Sequence, residues 1–291
     1  LLLSTAADEE SLFRAAGVMP MAPAQREQGM LQRTITLPGH GELIGEKDIR
    51  GIIHCHSNWS DGTNTLEEMA AAAIARGYEY LVISDHSQSA FYAQGLKPEK
   101  VREQHLLIGE LNEKFAPFRI FRSIESDILS DGSLDYSNEL LSTFDLVIAS
   151  VHSNLKMTLE KAMSRIETAI CNPYTNILGH PTGRLLLSRE GYPVDHERIL
   201  GLCREREVVV ELNSHPSRLD LDWTWIARAQ DLGLMISIDP DAHSIKGFED
   251  IRYGVLAAQK GGLSPRSNLS SLSREAFTGW LEQRKKRARN G

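Results

Sequence analysis

The chain has 291 residues, 41% hydrophobic and 24% charged, with a formal net charge of −7, which is enough length and apolar content for a substantial core. No apolar run approaches the roughly 20 residues that cross a bilayer. The net acidity argues against broad electrostatic adhesion to nucleic acid, although a site that gathers divalent cations itself attracts carboxylates, so a phosphate-bearing substrate stays open. Cys55, Cys171 and Cys203 are odd in number and lack zinc-finger spacing, which predicts a reduced, cytoplasmic setting instead of a disulfide framework.

The chain begins on Leu1, as a piece of a longer protein would. Residues 1–45 differ from the rest: Asp8 to Ala16 reads as a short helix, and Pro20, Pro23, Gly29, Pro38, Gly39 and Gly41 punctuate a loop-rich stretch. This predicts a linker or the trailing edge of a preceding domain, with the main domain at 46–291. From about Asp48 onward, β-branched apolar runs alternate with helical patterns. The predicted strands are Gly51 to Cys55, Tyr80 to Ser84, Arg119 to Ile124, Asp145 to Val151, Asn176 to Gly179, Glu207 to Leu212 and Leu234 to Ile238. Predicted helices run from Thr65 to Gly77, with Thr65 and Glu68 as a capping pair, and over Pro98 to Lys114, Thr158 to Cys171, Asp195 to Arg206 and Asp222 to Gly233. This rhythm predicts an α/β fold of parallel strands with right-handed crossovers. Seven units favour a TIM-like (βα)7 barrel, with an open doubly wound sheet as the alternative. The basic cluster Arg274, Arg284, Lys285, Lys286, Arg287 and Arg289 reads as a solvated helix end.

Each strand ends on residues able to bind metal. They are His54 and His56 with Asp61 just beyond; Asp85-His86; Glu125-Ser126-Asp127; His152; His180; Glu211-Leu212-Asn213; and Asp239-Pro240-Asp241-Ala242-His243. In a parallel barrel all strands present their carboxyl ends to one rim, so these side chains converge. Six of the ten histidines fall in this set. Imidazole with carboxylate suits Zn, Mn or Fe better than Ca or Mg. Taken singly, His152 or His180 reads more readily as a satisfied core histidine. Asp85, Asp127, Glu211 and Asn213 read as groups that orient ligands or close the barrel. His40, His105, His196 and His215 read as surface or structural, and Cys55, opposite in facing to His54 and His56 on a regular strand, as packing.

The segments His54-Cys55-His56 with Asp61, Ser84-Asp85-His86, Ile124-Glu125-Ser126-Asp127-Ile128-Leu129, Ser150-Val151-His152, Leu178-Gly179-His180-Pro181-Thr182-Gly183-Arg184 and Asp241-Ala242-His243 occur in order across about residues 50 to 245. Together they resemble the motifs of the PHP (polymerase and histidinol phosphatase) family of metal-dependent phosphoesterases. Asp48 to Gly51, His180 to Leu186, Arg218 to Trp223 and Arg252 to Val255 resemble more closely the C-terminal PHP domain of bacterial family X DNA polymerases, with residues 1–45 similar to the tail of the polymerase thumb and a linker. The polymerase's catalytic aspartates have no counterpart here, so no nucleotidyl transfer is expected. Ile52, where the family usually has Asp, and the stretch at Asp239-Pro240 depart from the pattern.

The resemblance implies a distorted barrel with three divalent ions, Zn, Mn or Fe, on nine ligands: His54, His56, Asp61, His86, Glu125, His152, His180, Asp241 and His243. It groups His54, His56 and Asp241 on one ion. Glu125 then bridges to a second ion on His152 and His180, and Asp61, His86 and His243 serve the third. It further implies phosphoester hydrolysis, most concretely a 3′→5′ exonuclease or DNA 3′-end processing activity. Glu125 and Asp241 would be catalytic, and Arg184 a clamp on the substrate phosphate, with Arg218 the weaker candidate for that role. The alternatives are a phosphomonoesterase acting on a small molecule such as histidinol phosphate, and a silent module that stabilises a polymerase.

Overall fold

A computed structural model describes residues 7–18, 20–27 and 42–290. Gly29, Pro38, Gly39, His40 and Gly41 lie outside the described residues. Seven strands hydrogen-bond in chain order, every neighbouring pair parallel. They are β1 (Gly51–Cys55), β2 (Tyr80–Ile83), β3 (Arg119–Asp127), β4 (Leu146–Ser150), β5 (Ile177–Leu178), β6 (Val209–Asn213) and β7 (Ile236–Asp239). At the carboxyl ends the sheet curls shut: His56 N–H donates to Ala242 O (2.8 Å) and Ala242 N–H to His54 O (3.2 Å). At the opposite ends residues 268–271 fill the seam, where Arg50 N–H donates to Ser270 O (2.8 Å) and Ile238 N–H to Asn268 Oδ1 (3.1 Å). The fold is thus a nearly closed, distorted (βα)7 barrel, and the open sheet is excluded.

The helices are α1 (Glu9–Ala15), α2 (Leu66–Ala75), α3 (Pro98–Lys114), α4 (Asn138–Leu141), α5 (Leu159–Cys171), α6 (His196–Arg206), α7 (Ile226–Asp231), α8 (Ile251–Lys260) and α9 (Arg274–Asn290). Local chemistry starts several of them. The Thr65 hydroxyl accepts from Glu68 N–H (3.2 Å) while the Glu68 carboxylate accepts from Thr65 N–H (2.9 Å). Thr158 and Asp195 cap α5 and α6 through a single bond each, their side chains accepting from Lys161 N–H (3.3 Å) and Arg198 N–H (3.0 Å). The helix expected over 222–233 is broken: Asp222 caps a 3₁₀ turn at Trp223–Trp225 before α7 begins. Among the described residues no helix is long and apolar enough to cross a membrane.

Two apolar layers result. Outward residues of the strands, such as Ile52, Cys55, Leu81, Ile83 and Ile124, pack under the helices. Inside the barrel, Ile53, Tyr80, Val82, Phe121, Leu146, Ile148, Ile177 and Val209 meet Phe277 and Leu281 of α9. The Phe277 ring stacks on Tyr80 at 4.6 Å and meets Phe121 at 5.0 Å, so α9 plugs the amino-terminal end of the barrel. Gly51 is required there, because a Cβ would fall 2.1 Å from the Tyr80 ring. The basic stretch is therefore not simply a solvated helix end. Arg284 is buried and donates to the carbonyls of Arg206 (3.1 Å) and Thr175 (3.0 Å), while Lys285 pairs with Asp145 at 2.6 Å.

Candidate metal centre

Above the apolar plug the barrel interior turns polar. Ser84 and Ser123 share a hydrogen bond of 3.0 Å. Asp239 is fully buried, accepting from the Ser237 hydroxyl (2.6 Å), and burial together with the nearby Glu211 carboxylate pushes its pKa well up. The residues named from the strand ends come next, at the carboxyl rim. β1 is not regular where they begin. Ile52 pairs with Leu81 but Cys55 with Ile83, so three steps on β1 oppose two on β2, with His54 at φ +60°. This bulge lets Ile53 and His54 both face inward while Cys55 stays in the outer layer. His180 (φ +20°) and Asp241 (φ +51°) also lie in the left-handed region. Such backbone costs roughly 1–3 kcal/mol per residue and clusters at functional sites.

The nine residues form one connected group centred on Glu125. Its carboxylate lies 2.9 Å from His180 Nε2, 3.1 Å from His86 Nδ1, 3.1 Å from His152 Nε2, 3.3 Å from His54 Nε2 and 3.6 Å from His56 Nε2. Asp241 Oδ1 lies 3.1 Å from His56 Nε2 and 3.6 Å from His54 Nε2. Asp61 Oδ1 lies 3.3 Å from His243, 3.7 Å from His86 and 3.9 Å from His56. Three subsets bring their donor atoms within 4.8 Å of one another: His56, Asp61, His86 and His243; His54, His56 and Asp241; and His86, Glu125 and His152. His56 and His86 each belong to two subsets, where the resemblance assigns each residue other than Glu125 to one ion.

These residues suit divalent ions. Buried ring atoms His54 Nε2, His56 Nδ1, His86 Nδ1 and His180 Nδ1, and Glu125 Oε2, have no hydrogen-bond partner among the described residues, and such atoms are costly to bury unless something binds them. A second ring of groups holds the imidazoles in place. Glu211 accepts from His54 Nδ1 and from the backbone N–H of His180. Asp127 pairs with His152 Nδ1, and Asn213 Nδ2 donates to Asp241 Oδ2 (3.1 Å). Asp85 ties down the loop after β1, accepting from Ser57 N–H (2.8 Å), the Ser57 and Ser60 hydroxyls and Gln104 (2.6 Å). Carboxylate–imidazole pairs of this kind set the tautomer for metal binding. His105 packs edge-on to Phe144, His196 stacks on Trp225, and His215 bonds Ser217, all outside the cluster.

The two arginines are placed differently. Arg184 spends its guanidinium on structure, donating to Arg218 O (3.0 Å), Leu219 O and Asp222 (2.7 Å). That network braces the 218–222 loop and points Arg218 at the cluster, with its Nε 3.4 Å from Asp241 Oδ2. Spacing from His180 favoured Arg184. The return of the loop after β6 across the rim is a tertiary feature with no local signature.

A parallel barrel with imidazoles and carboxylates converging at its carboxyl rim forms a candidate metal centre of an enzyme. The chain matches the PHP domain family over residues 53–215. It is 38% identical over 281 residues to a protein of Bacillus subtilis (strain 168) named DNA polymerase/3′-5′ exonuclease PolX, covering 97% of this chain and 49% of that one. This chain therefore spans about half the length of that relative. A probable phosphatase of Caldanaerobacter subterraneus subsp. tengcongensis is 26% identical over 218 residues, 69% of this chain and 80% of its own. In fold the barrel is similar to histidinol phosphate phosphatase from Lactococcus lactis, solved with zinc, L-histidinol and phosphate. The TM-score is 0.54 at 21% identity, over 74% of this chain and 95% of that one. The chain belongs to the PHP family and is a metal-dependent phosphoesterase.

Proposed function

We propose that this chain is a phosphodiesterase that trims DNA 3′ ends in the 3′→5′ direction, working in a longer protein alongside a polymerase region to which residues 1–45 are the link. The observation that carries this reading is Glu125, whose one carboxylate has five imidazoles within 3.6 Å. A bridging carboxylate at the hub of so many nitrogens suits several ions acting on one phosphoryl group. The nine residues would hold three divalent ions: His54, His56 and Asp241 one, His152 and His180 with Glu125 a second, and Asp61, His86 and His243 a third. Bound there, the ions supply an activated water and charge stabilisation on the phosphoryl oxygens.

The chain's own residues do the rest. Glu125 and Asp241 hold the rings convergent, and Glu211 and Asp127 keep His54 and His152 in the metal-binding tautomer. Arg218, 3.4 Å from Asp241, is the residue placed to grip a phosphate oxygen, in place of Arg184. The likeness to PolX of Bacillus subtilis supports the nuclease reading, whereas the likeness to probable phosphatases supports a monoesterase acting on a small molecule. With added Mn, 3′-labelled single-stranded DNA should be shortened from its 3′ end faster than p-nitrophenyl phosphate or histidinol phosphate is hydrolysed. Hydrolysis of monoesters alone would overturn the nuclease reading. An Asp241→Ala variant with unchanged metal content and hydrolysis would favour a silent structural module.

A further inference from the structure

Phe91 and Tyr92 leave 86% and 70% of their surface exposed, on the turn that follows His86, just beyond β2. The turn that carries them is firmly held. Ala90 and Ala93 are fully buried, Ser89 N–H donates to Asp135 Oδ2 (2.7 Å), and Ser89 Oγ donates to Asp127 Oδ2 (3.1 Å). Gly95 N–H returns to Ala90 O (3.1 Å), and a Cβ at Gly95 would fall 1.8 Å from the Ser87 carbonyl oxygen, so only glycine closes the turn. Neither ring belongs to the packed apolar layers. The fold thus gains little burial from two of its largest apolar side chains, yet it braces the segment that displays them. The Tyr92 ring centre is 6.1 Å from that of His86, at 60°. The Tyr92 ring therefore stands at the lip of the metal-ligand cluster, and Phe91, next to it in the chain, is more exposed still. Asp127, which anchors the turn through Ser89, is the same carboxylate that pairs with His152.

An exposed aromatic ring 6.1 Å from the His86 ring offers a flat apolar face next to the site proposed to take the phosphodiester. Nucleobases stack on such faces without regard to sequence, because every base has a π-face. We propose that Phe91 and Tyr92 form a stacking platform for the bases next to the scissile phosphodiester, which makes base-bearing single-stranded nucleic acid, DNA or RNA, the substrate class of this site. The proposal rests on the phosphodiesterase reading and sharpens it: the enzyme selects the base as well as the ester.

The test compares the full chain with F91A, Y92A and the double variant on short oligonucleotides. Their 3′ residue is thymidine or an abasic tetrahydrofuran on an otherwise identical backbone, with a matching uridine series for RNA. The wild type should prefer the base-bearing end, and the double variant should reduce that preference roughly 5- to 100-fold, with metal content unchanged by elemental analysis. Tyr92→Phe should keep the preference. A second readout needs no turnover: an oligonucleotide ending in 2-aminopurine, with a phosphorothioate terminal linkage, should be quenched on binding the wild type and recover fluorescence with the double variant. A preference unaltered in the double variant, or an abasic end cleaved as well as thymidine by the wild type, would overturn the platform. If the wild type cleaves bis(p-nitrophenyl) phosphate but neither oligonucleotide, the nuclease reading falls. The platform then stands on quenching that the double variant abolishes, and falls if quenching is absent or persists in that variant. A larger effect on thymidine than on uridine ends identifies DNA as the preferred polymer.

Discussion

Glu211→Gln isolates the contribution of the groups behind the proposed metal ligands. Glu211 is fully buried, with one carboxylate oxygen accepting from His54 Nδ1 and the other from the backbone N–H of His180. An amide has the same shape but only one acceptor oxygen. In the variant one of the two donors must face an NH2 group, or His54 must switch tautomer and lose the nitrogen it turns to the ion. A buried donor left unsatisfied costs about 1–3 kcal/mol. At about 1.4 kcal/mol per tenfold, that corresponds to roughly 5- to 150-fold in affinity, which overlaps the roughly 10- to 100-fold loss typical when such a partner is removed. We expect metal affinity to fall by about 10- to 100-fold, with the far-UV circular dichroism of the wild type retained. Competition against a chelator of known affinity, read by elemental analysis, measures it. An affinity within twofold of wild type in a folded variant would show that Glu211 orients nothing.

The two arginines should separate cleanly. Arg218→Ala should raise KM for phosphodiesters by one to two decades, the value of roughly 1.5–3 kcal/mol for a hydrogen bond to a charged group, with little change in melting temperature. Arg184→Ala should instead lower stability by unbracing the 218–222 loop, and equal KM effects from both would contradict the assignment. Phe277→Ala should destabilise the fold by about 3–5 kcal/mol through the void left between Tyr80 and Phe121, measured by urea unfolding. A loss below about 1 kcal/mol would mean that α9 is not the plug. Metal uptake should release protons. Burial opposes charge on His152 and His243, but Glu125 beside the first and Asp61 beside the second more than offset it, raising them to about 10 and about 9. Both rings are then charged at neutral pH in the metal-free protein, and the stability they add, complete below the ordinary imidazole value of about 6.5, is lost as pH rises through 9 and 10. Ions bind the neutral ring, so titration calorimetry near pH 7.5 in buffers of different ionisation enthalpy should show proton release, and apparent affinity should climb with pH up to about 10. Buffer-independent heats would refute this.

The alternation of β-branched runs with capped helices, and a ligand-type residue at every strand end, could be read directly from the sequence because both are local: period-two facing and the caps at Thr65, Thr158 and Asp195 need no distant partner. Strand extents were read less well where a strand's length depends on its neighbours. β3 runs on to Asp127 because β4 continues to pair with it, and β5 shrinks to Ile177–Leu178 because the chain turns at His180. Only the closed barrel decided the rest. It bulges β1 so that Ile53 and His54 both face inward, brings Ala242 against β1, and draws α9 back across some 200 residues to place Phe277 on Tyr80. It also sets Arg218, not Arg184, beside Asp241, and buries Arg284 within a stretch that reads as solvated charge. The physical reason is the same throughout. Backbone facing and capping are short-range, whereas which charge reaches the rim, and which ring fills the interior, depends on surfaces that exist only once the first and seventh strands meet.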